Sequence, residues 1–116
     1  MAQEIYGEDY IVSYGKEGNT ITFNGILRLS GTAGYRPIAQ FLDEILDSGV
    51  KALTLDLREL KLLNSSGITM LSKFVIHARQ YPDLALVVKG SQSIFWQERS
   101  LGNLQRLLPS MELYLE

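Results

Sequence analysis

Ser66 is the residue best placed to do chemistry in this 116-residue chain. It stands in the run Asn64-Ser65-Ser66-Gly67, where an apolar alternation gives way to a helical repeat. Asn64 or Ser65 can serve as the N-cap, its side-chain oxygen accepting from a backbone N–H of the first turn. The aligned peptide dipoles place roughly half a positive charge at such an end. A hydroxyl there lies beside a site that welcomes a phosphate. Gly67, with no side chain, leaves room for a second backbone to approach. Against this stands the plainer reading that most Ser and Asn residues at helix starts only cap.

Other chemistries fail on composition or spacing. A serine hydrolase needs a base beside its nucleophile. His77, the one histidine, lies eleven residues further along the same helix. At about 1.5 Å rise per residue that is roughly 16 Å away. Neither a nucleophile elbow nor a phosphate loop is present, and Lys16 sits between glycines in a hairpin spacing. Asp56 with Glu59 is a weak acid–base or metal pair, since Arg58 stands ready to neutralise Asp56. With no cysteine and one histidine, thiolate and histidine-rich metal sites are excluded. No catalytic residue, metal or cofactor is assigned, and His77 reads as an exposed helical residue. Trp96 is read as buried against a neighbouring helix, with a partner anchor as the alternative.

The elements that must position Ser66 follow from periodicity. Leu53, Leu55 and Leu57 alternate with Thr54, Asp56 and Arg58, as in a half-buried strand. Leu62 and Leu63 are placed beneath the turn. Ile68, Leu71, Phe74, Val75 and Ala78 then recur every three or four residues, a helical stripe that Pro82 terminates. Upstream, 10–14 and 20–29 read as strands joined by a hairpin loop over 15–19, with Gly25 marking a bulge or a close backbone approach. The residues before Tyr10 read as a lead-in or short edge segment. After the break Ser30 to Gly34, a helix runs to about Ser48 with Pro37 in its first turn. Its buried stripe is Ile38, Phe41, Leu42, Ile45 and Leu46, its solvated face includes Asp43 and Asp47, and Gly49 ends it. The run 84–88 predicts a strand covered on both faces. Ser91 or Ser93 caps a third helix with Ile94, Phe95, Leu101, Leu104 and Leu108 inward, and 111–115 forms the last strand.

The predicted fold is α/β, a single domain of order β-β-α-β-α-β-α-β. Its sheet is mostly parallel, with an antiparallel N-terminal strand. Loops at the carboxyl ends of the strands, 30–34, 64–67 and 90–93, are where partners meet such a sheet.

The hydrophobic share of 46%, the charged share of 21% and the net charge of −2 are those of an ordinary globular domain. They make no case for nucleic-acid binding. The N-terminal stretch lacks the basic and apolar regions of a signal peptide, and no run of about eighteen apolar residues could span a membrane. A cytoplasmic location is the expectation.

Taken together, ITFNGILRL with its Gly25, the stretch LTLDLRELKLLNSSGITML and the element order resemble the STAS domain family of bacterial anti-sigma-factor antagonists. The resemblance covers nearly the whole chain. In that family a strand ending in Asp-Leu leads through a short apolar connection to Asp-Ser/Thr-Ser-Gly at a helix start. The second hydroxyl residue is phosphorylated by a serine kinase that is also the anti-sigma factor, and a metal-dependent serine phosphatase reverses it. The resemblance therefore implies phosphorylation at Ser66, and partner binding by Asn64, Ser65, Ser66, Gly67, Ile68 and Thr69, with Ser30 and Gly31. The unphosphorylated form would bind the kinase and free the sigma factor. Two departures are visible: Asn64 replaces the family's aspartate, and the further C-terminal helix of many relatives has no counterpart here. From the latter, the last strand or its neighbouring helix is expected to expose apolar surface that could serve dimerisation. The leading expectation is a non-enzymatic regulator switched at Ser66. The alternatives are an interaction or homodimerisation module without a phosphoswitch, and a small-anion binder.

Overall fold

The computed structural model describes residues 4–15 and 18–116. Its elements are β1 (Glu4–Tyr6), β2 (Tyr10–Gly15), β3 (Thr20–Leu27), α1 (Gly31–Leu46), β4 (Ala52–Leu63), α2 (Ser65–Ala78), β5 (Ala85–Gly90), α3 (Gln97–Leu107) and β6 (Glu112–Leu115). The predicted α/β order holds, with the lead-in segment adding β1 as an edge strand. The hairpin loop expected over 15–19 includes 16 and 17, so Lys16 lies outside the described residues.

The six strands lie in the sheet in the order of the chain. β2 runs antiparallel to β1 and β3, and the remaining pairs are parallel. Each parallel crossover therefore steps one strand in the same direction. Right-handed crossovers of that kind carry every helix to the same side of the sheet. Burial follows: Ile21 and Phe23, Leu53, Leu55 and Leu57, and Leu86 and Val88 are buried beneath the helices. The opposite face carries a polar row in register, Thr22, Asp56, Lys89 and Tyr114. This corrects the expectation for 84–88. β5 is covered on one face, with Leu86 and Val88 inward and Ala85 exposed.

Gly25 is a close-approach glycine, as predicted. Its φ is +105°, and a Cβ there would lie 2.1 Å from the Asp9 carbonyl oxygen. Ile26 N–H donates to that same oxygen at 2.8 Å. Here β2 joins β3, and the β3–β4 register shifts nearby.

α1 starts earlier than predicted. Gly31 takes φ +58°, and Gly34 N–H donates to the Ser30 carbonyl at 3.0 Å. The small-residue break is thus itself the first helical turn, and Pro37 falls in the second, leaving the Ala33 carbonyl without its helical donor. The predicted stripe Ile38, Phe41, Leu42, Ile45 and Leu46 is buried throughout.

α3 begins later than predicted, at Gln97, and neither Ser91 nor Ser93 caps it. Instead their hydroxyls bond each other at 2.7 Å in the preceding turn. Phe95, expected inward, is 87% exposed, whereas Trp96 is buried. The cause lies in β4, which pairs with β5 only through Asp56 and then runs on to Leu63. Backbone carbonyls beyond that point need donors. Gln97 Nε2 donates to Leu57 and Leu60 carbonyls at 2.6 and 3.0 Å, and Trp96 Nε1 to Leu60 at 3.2 Å. Gln97 Oε1 also accepts from Ser91 N–H at 2.8 Å. Satisfying the overhanging strand turns Trp96 and Gln97 inward and leaves Phe95 outside. No helix among the described residues is long and apolar enough to cross a membrane.

Candidate functional site

The end of β4 and the start of α2 are joined by one side chain. Asn64 is the N-cap, its Oδ1 accepting from Gly67 N–H at 3.1 Å. The same oxygen accepts from the Tyr35 hydroxyl of α1 at 2.6 Å. Its Nδ2 donates to the Leu29 carbonyl, on the β3–α1 connection, at 2.8 Å. One amide thereby holds two helix starts and a loop in fixed relation. An aspartate here would keep both acceptor roles, but an ionised carboxylate could not donate to Leu29. Asn64 thus supplies a donor that the aspartate of the STAS pattern would lack.

Gly67 is buried, and the space left by its missing side chain is filled from within. A Cβ would lie 2.2 Å from Leu63 Cδ1 and 2.7 Å from the Tyr35 hydroxyl. Burial raises the pKa of that hydroxyl. The room expected for a second backbone is occupied by the protein's own core. Of the other residues assigned to partner binding, Ser65, Thr69, Ser30 and Gly31 are exposed, Ser66 is half-buried, and Ile68 packs partly against the core.

Ser66 opens into a groove of about 300 Å³ between α1 and α2. The two helices lie side by side, and each contributes residues at spacings of three and four. Thr32, Tyr35, Arg36, Ala39, Gln40 and Asp43 come from α1; Ser66, Thr69, Met70, Lys73, Phe74 and His77 come from α2. Each α2 residue follows its α1 counterpart by 34 positions, as in the Asp43–His77 contact. Phe74 and Met70 are buried in the floor, and Arg36 and Lys73 are exposed. Among the described residues neither cation has an acidic partner within 4.0 Å.

The far end of the groove is closed by charge. His77 Nδ1 meets Asp43 Oδ1 at 2.9 Å and Nε2 meets Asp47 Oδ1 at 3.0 Å, while the Tyr81 hydroxyl donates to Asp47. Two carboxylates accept only, so both ring nitrogens must carry protons for both contacts to be hydrogen bonds. Partial burial disfavours the imidazolium, but the bonds and charges of Asp43 and Asp47 outweigh it and raise the pKa of His77. The reading of His77 as an exposed residue is therefore corrected, whereas Asp43 and Asp47, each about half exposed, face solvent as expected while also bonding the imidazole. A carboxylate one turn from another on α1, facing a histidine on α2, carries no periodic signal in the sequence. Only the pairing of the helices reveals it.

Asp56 is neutralised as expected. Its carboxylate accepts from Arg58 backbone N–H, Nε and Nη2 at 3.1, 2.9 and 2.8 Å, and Arg58 also reaches Glu116 at 3.1 Å. The guanidinium holds the Asp56 carboxyl below its ordinary pKa. No group of three or more His, Cys, Asp or Glu with metal-binding geometry occurs among the described residues. Among the described residues the large exposed apolar side chains are Tyr6, Ile11, Ile76, Phe95 and Tyr114. Tyr6 and Ile11 are register partners on β1 and β2, so apolar exposure is paired at that edge, whereas the last strand exposes Tyr114 alone.

No family model matches the chain, and no curated protein matches it significantly. Among solved structures it is similar to SiaC of Pseudomonas aeruginosa, with a TM-score of 0.70 at 14% identity over 97% of this chain and 95% of that one. Apo-SiaC from the same organism gives a TM-score of 0.68 at 14% identity, over 97% and 96% of the two chains. A crystal structure of the diguanylate cyclase SiaD in complex with its activator SiaC gives 0.64 at 14% identity, over 97% and 98%. At this identity the likeness is one of fold, and it extends from end to end of both chains.

Proposed function

We infer that this chain is a non-catalytic regulator that binds another protein through the face around the start of α2, and that phosphorylation of Ser66 switches that binding. The observation that carries it is the position of Ser66: half-buried, in the first turn of α2, lining an open groove. The backbone under it is held by Asn64, so the hydroxyl is presented in one place. A kinase would transfer the terminal phosphoryl of ATP to Ser66 Oγ, with ADP leaving and the hydroxyl proton passing to the kinase. The product carries nearly two negative charges at a surface that must be desolvated for a partner to bind, which weakens that binding. By the family resemblance the partner is a serine kinase with anti-sigma activity, and a serine phosphatase restores the free hydroxyl.

A second reading keeps the binding face and changes the partner. SiaC, whose fold this chain shares, is an activator of a diguanylate cyclase. The partner of this chain would then be an enzyme activated by docking, with or without a phosphoswitch. Pull-down from the source cell with wild type, Ser66→Ala and Ser66→Asp separates the readings. Loss of one partner with Ser66→Asp alone supports the switch, and mass spectrometry of the captured protein tells kinase from cyclase. Equal recovery with all three versions would sink the switch. Electrophoresis in a phosphate-binding gel after incubation with extract and ATP gives the covalent test: a shifted band absent in Ser66→Ala.

A further inference from the structure

Resting on the reading of Ser66 as a phosphoacceptor, we propose that the α1–α2 groove is the receiving site for the phosphate it carries, with Arg36 and Lys73 as its cationic partners in cis. Ser66 and Thr32 face each other at the groove's mouth; Arg36 lies one turn below on α1 and Lys73 two turns below on α2. Helical side chains lean toward the N-terminus of their own helix. Both helices start at the mouth, so the Cα–Cβ bonds of both residues tilt toward that end of the groove. They are exposed and lack an acidic partner within 4.0 Å among the described residues. The one carboxylate lining the groove, Asp43, is held at the opposite end by His77. Charge is thus spread along the groove: Arg36 one turn from the acceptor's end, Lys73 one turn short of the base, and a neutralised anion at the base itself.

A phosphomonoester dianion offers several acceptor oxygens, which suits a guanidinium fork and an ammonium together. Phosphorylation then does more than add charge to the binding face. The phosphate at the mouth is reached by both cations from within the groove, ties α1 to α2 there as His77 ties them at the base, and withdraws both cations from any partner.

The test installs phosphoserine at position 66 during synthesis, so no kinase is needed. ³¹P NMR titration reads the second phosphate pKa, which is near 6 for an unperturbed phosphoserine. In the wild-type background it should lie about half a unit or more below its value in Arg36→Gln/Lys73→Gln. The helix dipole acts equally in both backgrounds, and Arg36→Lys should retain part of the shift. Identical pKa values in wild type and the double variant would overturn the proposal. Inorganic phosphate titrated into the unmodified protein provides the second arm. No saturation below about 1 mM is expected, because the tether supplies the effective concentration. Saturation in the micromolar range would overturn the assignment in cis in favour of a free-phosphate site. Failure of either arm removes the groove but leaves the Ser66 switch standing, since the pull-down measures that independently.

Discussion

The two ends of the α1–α2 groove are built on the same 34-residue offset and come out opposite. At the base, Asp43, Asp47, His77 and Tyr81 bond one another, and the helices are locked side chain to side chain. At the mouth the locking is done one layer deeper, by Asn64, Tyr35 and the Leu29 carbonyl. The side chains above that layer, Ser66, Thr32 and Arg36, are left to the solvent side, as is Lys73 further along the groove. On the proposed function, a surface that exchanges partners cannot spend its polar groups on itself, yet its backbone must be held still. Moving the fastening below the surface meets both needs. Variants at the two ends should therefore behave differently.

The largest effect is expected from Asn64→Ala. It removes a helix cap and leaves the Tyr35 hydroxyl and Leu29 carbonyl without their partner, a loss of about 3 kcal/mol in urea unfolding. Retention of full stability would mean the mouth is not fastened through this residue. Gly67→Ala should cost about 2 kcal/mol, because Leu63 and Tyr35 must shift to admit the methyl group.

At the base the effect depends on pH. The folded-state pKa of His77 is raised, so its contribution is full below the unfolded value of about 6.5 and is lost as pH rises through the folded value. Melting temperature should accordingly fall on going from about pH 6 to 8. That slope should flatten in His77→Gln, and an unchanged slope would place the titration elsewhere.

The smallest effect belongs to the two groove cations. Arg36→Gln/Lys73→Gln should leave unphosphorylated stability within about 0.5 kcal/mol of wild type, since neither side chain supports the fold. A larger loss would show that the mouth is fastened through its surface after all.

Much of this arrangement could be read from residue patterns. The stripe Ile38, Phe41, Leu42, Ile45 and Leu46, the cap at Asn64 and the close approach at Gly25 each depend on neighbours in the chain, and local rules describe them. The misreadings share a different cause. Phe95 was assigned inward and His77 outward because periodicity treats each helix alone. Phe95 is turned out by carbonyls of β4, donated to by Trp96 and Gln97 across roughly forty positions. His77 is drawn in by carboxylates 34 and 30 residues earlier. β5 was expected to be covered on both faces because an apolar run does not record which side the crossovers take.

What the amino-acid order alone determined is the list of elements, their buried stripes and the hydroxyl at the head of the second helix. Those follow from backbone geometry and solvent avoidance, which act over a few residues. Tertiary structure alone decided that the three helices share one face, that two of them align in step, and that one end of their seam is bonded shut while the other stays open. Such facts depend on which distant groups come within hydrogen-bonding reach, and that is settled only when the strands are laid side by side.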